Sequence, residues 1–199
     1  YFKKITPQSL RMSGAQKMKE GDEILLHLET TNKAELLLFT DRCQVYKGKA
    51  ADFSDTKASV LGDYLPTKYG FDEGEKFVSA AVTLDYAGEL LFIFENGKAA
   101  RVPVSAYQTK TNRKKLQNAY SDRSPLVAVF QPGAGEEVVL ASGSRRLILD
   151  PQMVSLKATR DTQGVQAMSL RKNAKVESAV PLTEGMFEDP KRYRPKSLP

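Results

Sequence analysis

The chain has 199 residues, 41% hydrophobic and 27% charged, with a formal net charge of +6. This is ordinary for a compact globular domain and unlike a disordered segment. A single cysteine excludes an internal disulfide, and no apolar run approaches the roughly 20 residues of a membrane span, so a cytoplasmic domain without a membrane partner is expected.

In chain order, the predicted elements begin with a half-unit, Tyr1-Phe2-Lys3-Lys4 ending at Leu10. A polar turn at Glu20-Gly21-Asp22 then leads into an apolar strand, Ile24 to Leu28, which holds the only histidine, His27. Next comes a β-hairpin, with apolar runs at Leu36–Phe39 and Gln44–Tyr46 around a polar turn, inside a unit from Glu35 to Phe53. The turn-plus-strand pattern returns at Glu73–Ser79, Asp122–Ala128 and Lys172–Ser178, and the hairpin unit returns at Glu89–Tyr107 and Glu136–Val154. The three hairpin units superpose without gaps, 54 residues apart and then 47, and Tyr1 aligns with Gln44 at a step of 43.

Periods of 40 to 50 residues built from short strands mark radial β architectures. The reading is therefore an all-β disc of four repeats, with five as the alternative, and an ordinary β-sandwich of irregular hairpins as the competing arrangement. The half-unit at the start predicts that Val165–Leu170 and Val176–Val180 close the ring against Tyr1–Ile5. The opening at Tyr1, without methionine, reads as a piece of something larger with a first strand upstream. From Thr183 the repeat ends; 189–199 has three prolines and four cations, which makes it either a flexible basic tail or a strap across the disc.

Charge is unevenly placed. Residues 1–19 carry five basic and no acidic side chains, 98–124 carry seven against one, and 145–175 seven against two, whereas 50–97 carry three against nine. Lys4, Lys47 and Arg101 share one repeat position, which Ile148 breaks. Cations spaced around a rim suit a phosphate backbone, because that attraction is long-range, indifferent to sequence and summed over contacts. The competing reading is a solvated surface of mild positive excess. The candidate contacts are Lys3, Lys4, Arg11, Lys17, Lys47, Lys49, Arg101, Lys110, Arg113, Lys114, Lys115, Arg145, Arg146, Lys157 and Arg160. Hydroxyls and amides between Tyr107 and Tyr120 add neutral phosphate donors.

No catalytic constellation is evident. His27 lacks acidic or cysteine partners at ligand spacing, so no metal or cofactor is expected. Cys43 aligns with Gly97, in a turn position that favours positive φ, and reads as a turn substitute rather than a nucleophile. Gly133-Ala-Gly135 opens no helix, so it is not a phosphate-cradling loop.

The opening Tyr1–Thr6, the strand-turn-strand from Leu38 to Tyr46, the Glu95-Asn-Gly-Lys98 turn and Asp161-Thr-Gln-Gly-Val165 resemble the C-terminal domain of the A subunit of DNA gyrase and topoisomerase IV, over about residues 1–182. The resemblance implies a β-pinwheel, a disc of four-stranded blades that exchange strands, with DNA bent around a basic edge. It further implies a non-catalytic, nucleoid-associated part of an ATP-hydrolysing type IIA topoisomerase, partnered by double-stranded DNA, by its catalytic core and, through that, by the ATPase B subunit. Two departures stand out. Of the family's Gly- and Arg-rich box only Arg11, Gly14 and Lys17 are left within Gln8–Lys17, which looks closer to topoisomerase IV or a divergent gyrase. Four repeats, against a typical six in gyrase, imply a shorter rim that bends DNA less, and a basic tail would act oppositely to the acidic tail that regulates wrapping in related gyrases. The contrasting expectation is a propeller-like module whose basic rim binds an acidic protein.

Overall fold

The computed structural model describes residues 1–12, 20–21 and 23–199. Each hairpin's first strand is a continuous apolar run preceded by a glutamate, the pattern of a strand buried on both faces. The first hairpin pairs β2 (Glu35–Thr40) with β3 (Val45–Lys49), flanked by β5 (Phe77–Thr83) and β8 (Lys115–Leu116) in the order β5-β2-β3-β8. The second pairs β6 (Glu89–Phe94) with β7 (Lys98–Pro103), flanked by β9 (Leu126–Phe130) and β12 (Val165–Gln166) in the order β12-β7-β6-β9. The third has three strands, β11-β10-β13, from Arg145–Leu149, Val138–Ser142 and Ser178–Pro181. A two-stranded remnant joins β1 (Lys4–Ile5) in parallel to β4 (Asp55–Thr56). Two short helices, α1 (Pro7–Met12) and α2 (Leu65–Tyr69), complete the regular structure apart from single 3-10 turns.

Side-chain alternation explains why these sheets stack. Leu36 and Leu38 of β2 enter a cluster with Tyr46, Phe53 and Leu65, while Leu37 and Phe39, on the opposite face, pack with Leu90, Phe92 and Phe94 of β6. Leu91 and Ile93 then project the other way, toward Val138, Leu140 and Leu149 of the third sheet. Between the first two sheets the Phe39 and Phe92 rings meet edge to face at 5.4 Å, a preferred aromatic geometry.

The strand exchange is visible in the register. After each hairpin the chain makes a 3-10 turn (Ala50–Asp52, Val104–Tyr107, Pro151–Met153) and crosses back to the preceding sheet. The crossings meet equivalent residues, Phe2 with Asp63, Val45 with Leu116 and Ala99 with Val165. Lys4 with Asp55 and Arg101 with Leu156 are equivalent parallel contacts. Gly62 and Gly164 precede the crossing partner at φ of 100° and 72°, where an added Cβ would lie 2.6 Å from the Phe2 carbonyl oxygen and 2.0 Å from that of Ala99. The backbones therefore touch where only glycine fits.

Several expectations are corrected. The ring does not close as anticipated, because β12 pairs with β7 and β13 with β10, whereas residues 2–5 pair within 55–63. Strand exchange takes the last strands to the neighbouring hairpins and leaves none for the N-terminus. The described residues form three hairpin-centred sheets and a remnant, so a count of four includes an incomplete blade. Residues 23–30, which include the expected strand Ile24–Leu28, form no strand. The third repeat is not gapless either. Its turn, Gly143–Ser144, is one residue shorter than Asp41–Cys43 or Glu95–Gly97, so Glu137 rather than Glu136 occupies the position of Glu35 and Glu89. Cys43 does adopt positive φ, 54°, opposite 84° at Gly97.

The tail packs on the third sheet, with the 3-10 turn Pro190–Tyr193 against β11. Arg194 donates bidentately to Glu137, at 2.9 and 2.8 Å. Leu198 joins the core between the second and third sheets. Among the described residues no helix is long and apolar enough to cross a membrane.

Candidate nucleic-acid interface

The basic residues fall into two physical groups. The first fastens one blade to the next. Lys47 Nζ donates to the Tyr107 carbonyl at 3.0 Å and to Thr109 Oγ1 at 3.2 Å; burial holds its ammonium below the usual lysine range, a shift that Glu35 opposes and Arg160 reinforces. Arg101, at the same repeat position, donates to the Pro151 carbonyl at 3.2 Å and lies 3.2 Å from Glu89 in an ion pair whose arginine side chain is 11% exposed. Lys4 donates to Asn32 Oδ1 at 2.9 Å and lies 3.6 Å from Asp55. Lys3 donates to the carbonyls of Ala58 and Val60, and burial lowers its pKa. These cations bridge a sheet to the segment that follows the next hairpin, which is why the repeat keeps them.

The second group gathers where the second and third crossing segments run side by side. Arg113 and Lys115 from one and Arg160 from the other line a shallow open cleft with Leu116, Gln117 and Asn118. Arg160 donates to the carbonyls of Ala106 at 3.3 Å and Gln117 at 3.4 Å, and its guanidinium lies 5.9 Å from the Tyr107 ring centroid. Tyr107 is itself fixed by donating its hydroxyl to the Ala119 carbonyl at 2.6 Å. Lys110, Arg113 and Lys114 are exposed and, among the described residues, have no ion-pair partner. Lys115 lies 3.5 Å from Asp72 and stacks over Tyr46. Of the cations lining the cleft, Arg113 is exposed, whereas Lys115 is held by Asp72 and Arg160 by the carbonyls of Ala106 and Gln117.

The other candidates are scattered. Lys49 and Lys157 are exposed. Arg145 and Arg146 stand exposed on β11, with their guanidinium groups donating to the carbonyls of Ser169 and of Gly143 and Arg145. Arg11 lies on α1, whose last two side chains are not described, and Lys17 and Gly14 fall outside the described residues. His27 is exposed, and among the described residues no group of three or more His, Cys, Asp or Glu could hold a metal ion. Gly133 donates its N–H to Glu136 Oε2 at 3.0 Å, so its loop is closed by its own carboxylate.

Sequence reasoning missed the meeting of Arg160 with Arg113 and Lys115, since 45 or more residues separate them and only strand exchange brings them together. It also missed Glu75, buried at the first hairpin turn, which accepts from Thr40 Oγ1, from Gln44 Nε2 at 2.8 Å, from Tyr46 Oη at 2.6 Å and from the Asp72 N–H at 2.8 Å. Burial alone would raise its pKa; the hydrogen bonds from Thr40, Tyr46 and the Asp72 backbone outweigh burial and hold it below the usual range.

Comparison with known proteins bears on this arrangement. The family model described as the DNA gyrase C-terminal domain, beta-propeller, matches residues 156–183, the third crossing segment through β13. The solved C-terminal domain of DNA topoisomerase IV superposes with a TM-score of 0.73 at 24% identity, over 92% of this chain and 58% of that one. The chain has the β-pinwheel fold. An E. coli ParC C-terminal domain gives 0.59 at 10% identity, over 92% of this chain and 81% of that one. The A subunit of DNA topoisomerase 4 from Staphylococcus aureus is 21% identical over 195 residues, 95% of this chain but 24% of that protein, so the pinwheel spans about a quarter of this curated relative. The family-model match contains both Arg160 of the cleft and Gly164, the glycine on which the pinwheel's last crossing depends.

Proposed function

We propose that this pinwheel binds and bends duplex DNA, largely without regard to sequence, as the accessory domain of the A subunit of a bacterial type IIA topoisomerase. The observation that carries the reading is the cationic cleft of Arg113, Lys115 and Arg160 with Lys110 and Lys114 beside it. Phosphate contacts of this kind position a duplex without reading its bases. In this reading DNA cleavage resides in the catalytic core, which the pinwheel serves within the nucleoid, and ATP hydrolysis belongs to the B subunit. The three hairpin-centred sheets among the described residues offer a short rim, which suits a modest bend.

The test is fluorescence anisotropy with two unrelated duplexes across a salt series. Both should bind alike, with log affinity falling linearly against log salt. Replacing Arg113, Lys114 and Lys115 with alanine should weaken both equally and flatten the slope by roughly one unit for every phosphate that is no longer neutralised. Unchanged affinity and slope in the triple variant would take the cleft out of the DNA surface. Tight binding to an acidic polypeptide with none to DNA would favour a protein-interaction module.

A further inference from the structure

The cations of the cleft differ in how freely they can meet an anion. Lys115 stands one residue before Leu116, the crossing partner of Val45. At that place the other two crossings have Gly62 and Gly164, one residue before the partners of Phe2 and Ala99. Blade repetition therefore does not require a lysine there. Its ammonium lies over the Tyr46 ring, 5.5 Å from the centroid, and 3.5 Å from the Asp72 carboxylate. Asp72 is fixed without help from Lys115. α2 ends at Gly70 in the left-handed conformation, and Phe71 then packs on Tyr46 with ring centroids 4.6 Å apart. The Asp72 N–H donates to Glu75 Oε1 at 2.8 Å, and its carboxylate accepts from Gln44 Nε2 at 3.0 Å. In the second blade the register of β5 and β9 puts Ser121 at the place of Asp72, so the acid is no more a requirement of the repeat than the lysine. The two side chains are 34% and 55% exposed, which makes their pair weak, screened by salt and open to exchange with another anion.

We infer that Asp72 is a built-in competitor of the DNA phosphate for Lys115, which sets the strength of the cleft below what its cations alone would give. The inference rests on the reading of the cleft as a DNA surface and adds the residue that limits it. A phosphate that approaches the Lys115 ammonium also approaches a carboxylate held in place by Gln44 and by the turn at Glu75. Like charges at that separation oppose each other, so the phosphate gains little from Lys115 while Asp72 is ionised. Arg113 has no such partner among the described residues and meets the backbone unopposed. Arg42, at the first hairpin turn, is the other cation that Asp72 attracts; its guanidinium donates to the Glu73 carbonyl at 3.3 Å.

The test is Asp72→Asn, which removes the charge and keeps an oxygen for Gln44, measured by anisotropy on the same two duplexes across the salt series. Affinity for both should rise about three- to fivefold at low salt, and the slope should steepen by roughly one unit as Lys115 begins to neutralise a phosphate. Asp72→Ser, which installs the residue of the second blade, should give the same gain and guards against a disturbance specific to the amide. Lys115→Ala should change little by itself and should abolish the gain when combined with Asp72→Asn. Asp122→Asn, the same charge change at an exposed acid of the neighbouring segment, should leave the slope as it is. Wild-type binding that neither Asp72 variant strengthens overturns the competitor and leaves the DNA reading standing. A gain that survives in the Asp72→Asn, Lys115→Ala double variant, or that Asp122→Asn matches, belongs to Arg42 or to net charge and also overturns it. Failure of the wild type and of both Asp72 variants to bind either duplex removes the DNA reading and the competitor with it.

Discussion

At the scale of single residues, polar side chains in this fold act by fastening turns. Glu75 ties the first hairpin's turn to residues 72–75 through four donors, so Glu75→Gln should cost about 1–3 kcal/mol by leaving buried donors without an ionised acceptor. A carboxylate whose folded pKa is depressed adds stability that is fully present above its unfolded value and is lost as pH falls through the folded one. The wild-type chain should therefore lose this contribution below about pH 4.5, the ordinary glutamate value, and the glutamine variant should lack that part of the acid transition. Urea denaturation at pH 7 and pH 3 measures both, and an equal stability difference at the two pH values would dispose of the assignment. The sequence showed Glu75 only as one more charge in an acidic stretch.

Among the elements, the tail shows how a broken repeat is repaired. Glu35, Glu89 and Glu137 open the three hairpins; Glu89 pairs with Arg101 of its own sheet and Glu35 lies near Lys47. The third sheet has Ile148, buried, at that cation's position, and Arg194 from the tail supplies the charge instead. The tail also packs its 3-10 turn Pro190–Tyr193 against β11. Arg194→Ala should change global stability little, because the pair is partly exposed and screened by solvent. Its clearer sign is faster amide exchange on β11 with β2 and β6 unaffected. Uniform exchange across all three sheets would mean the tail is no local strap.

For the whole molecule, a division of labour among cations makes a prediction that net charge cannot. Arg101 spans two blades and is largely buried, so Arg101→Ala should destabilise the disc by about 1–3 kcal/mol, leaving Glu89 without its cation, yet keep the salt slope of DNA binding. Replacing Arg113, Lys114 and Lys115 should do the reverse, since Arg113 and Lys114 are exposed charges, which usually contribute within about 0.5 kcal/mol, and the Lys115–Asp72 pair is partly exposed. Melting curves and salt titrations on both variants decide the matter. A shared loss of slope would put the fastening cations on the DNA surface as well.

The hairpins, their order and the two-faced burial of Glu35–Thr40 and Glu89–Phe94 were legible in the sequence, because strand pattern, turn residues and repeat spacing are local properties. Cys43 could be placed at positive φ from its alignment with Gly97 alone. Residues that share a surface could not be read this way. Whether Lys47 and Arg101 face solvent or the neighbouring blade, and whether Arg160 meets Arg113, depends on the chain crossing back after every hairpin. The anticipated ring closure failed for the same reason: which sheet a strand of two to four residues joins is set by the backbone contacts it finds, such as Gly164 against Ala99, and not by its own sequence. By itself the sequence determined the hairpins and their period; tertiary structure decided which edges pair, because edge pairing is a long-range competition among similar short strands.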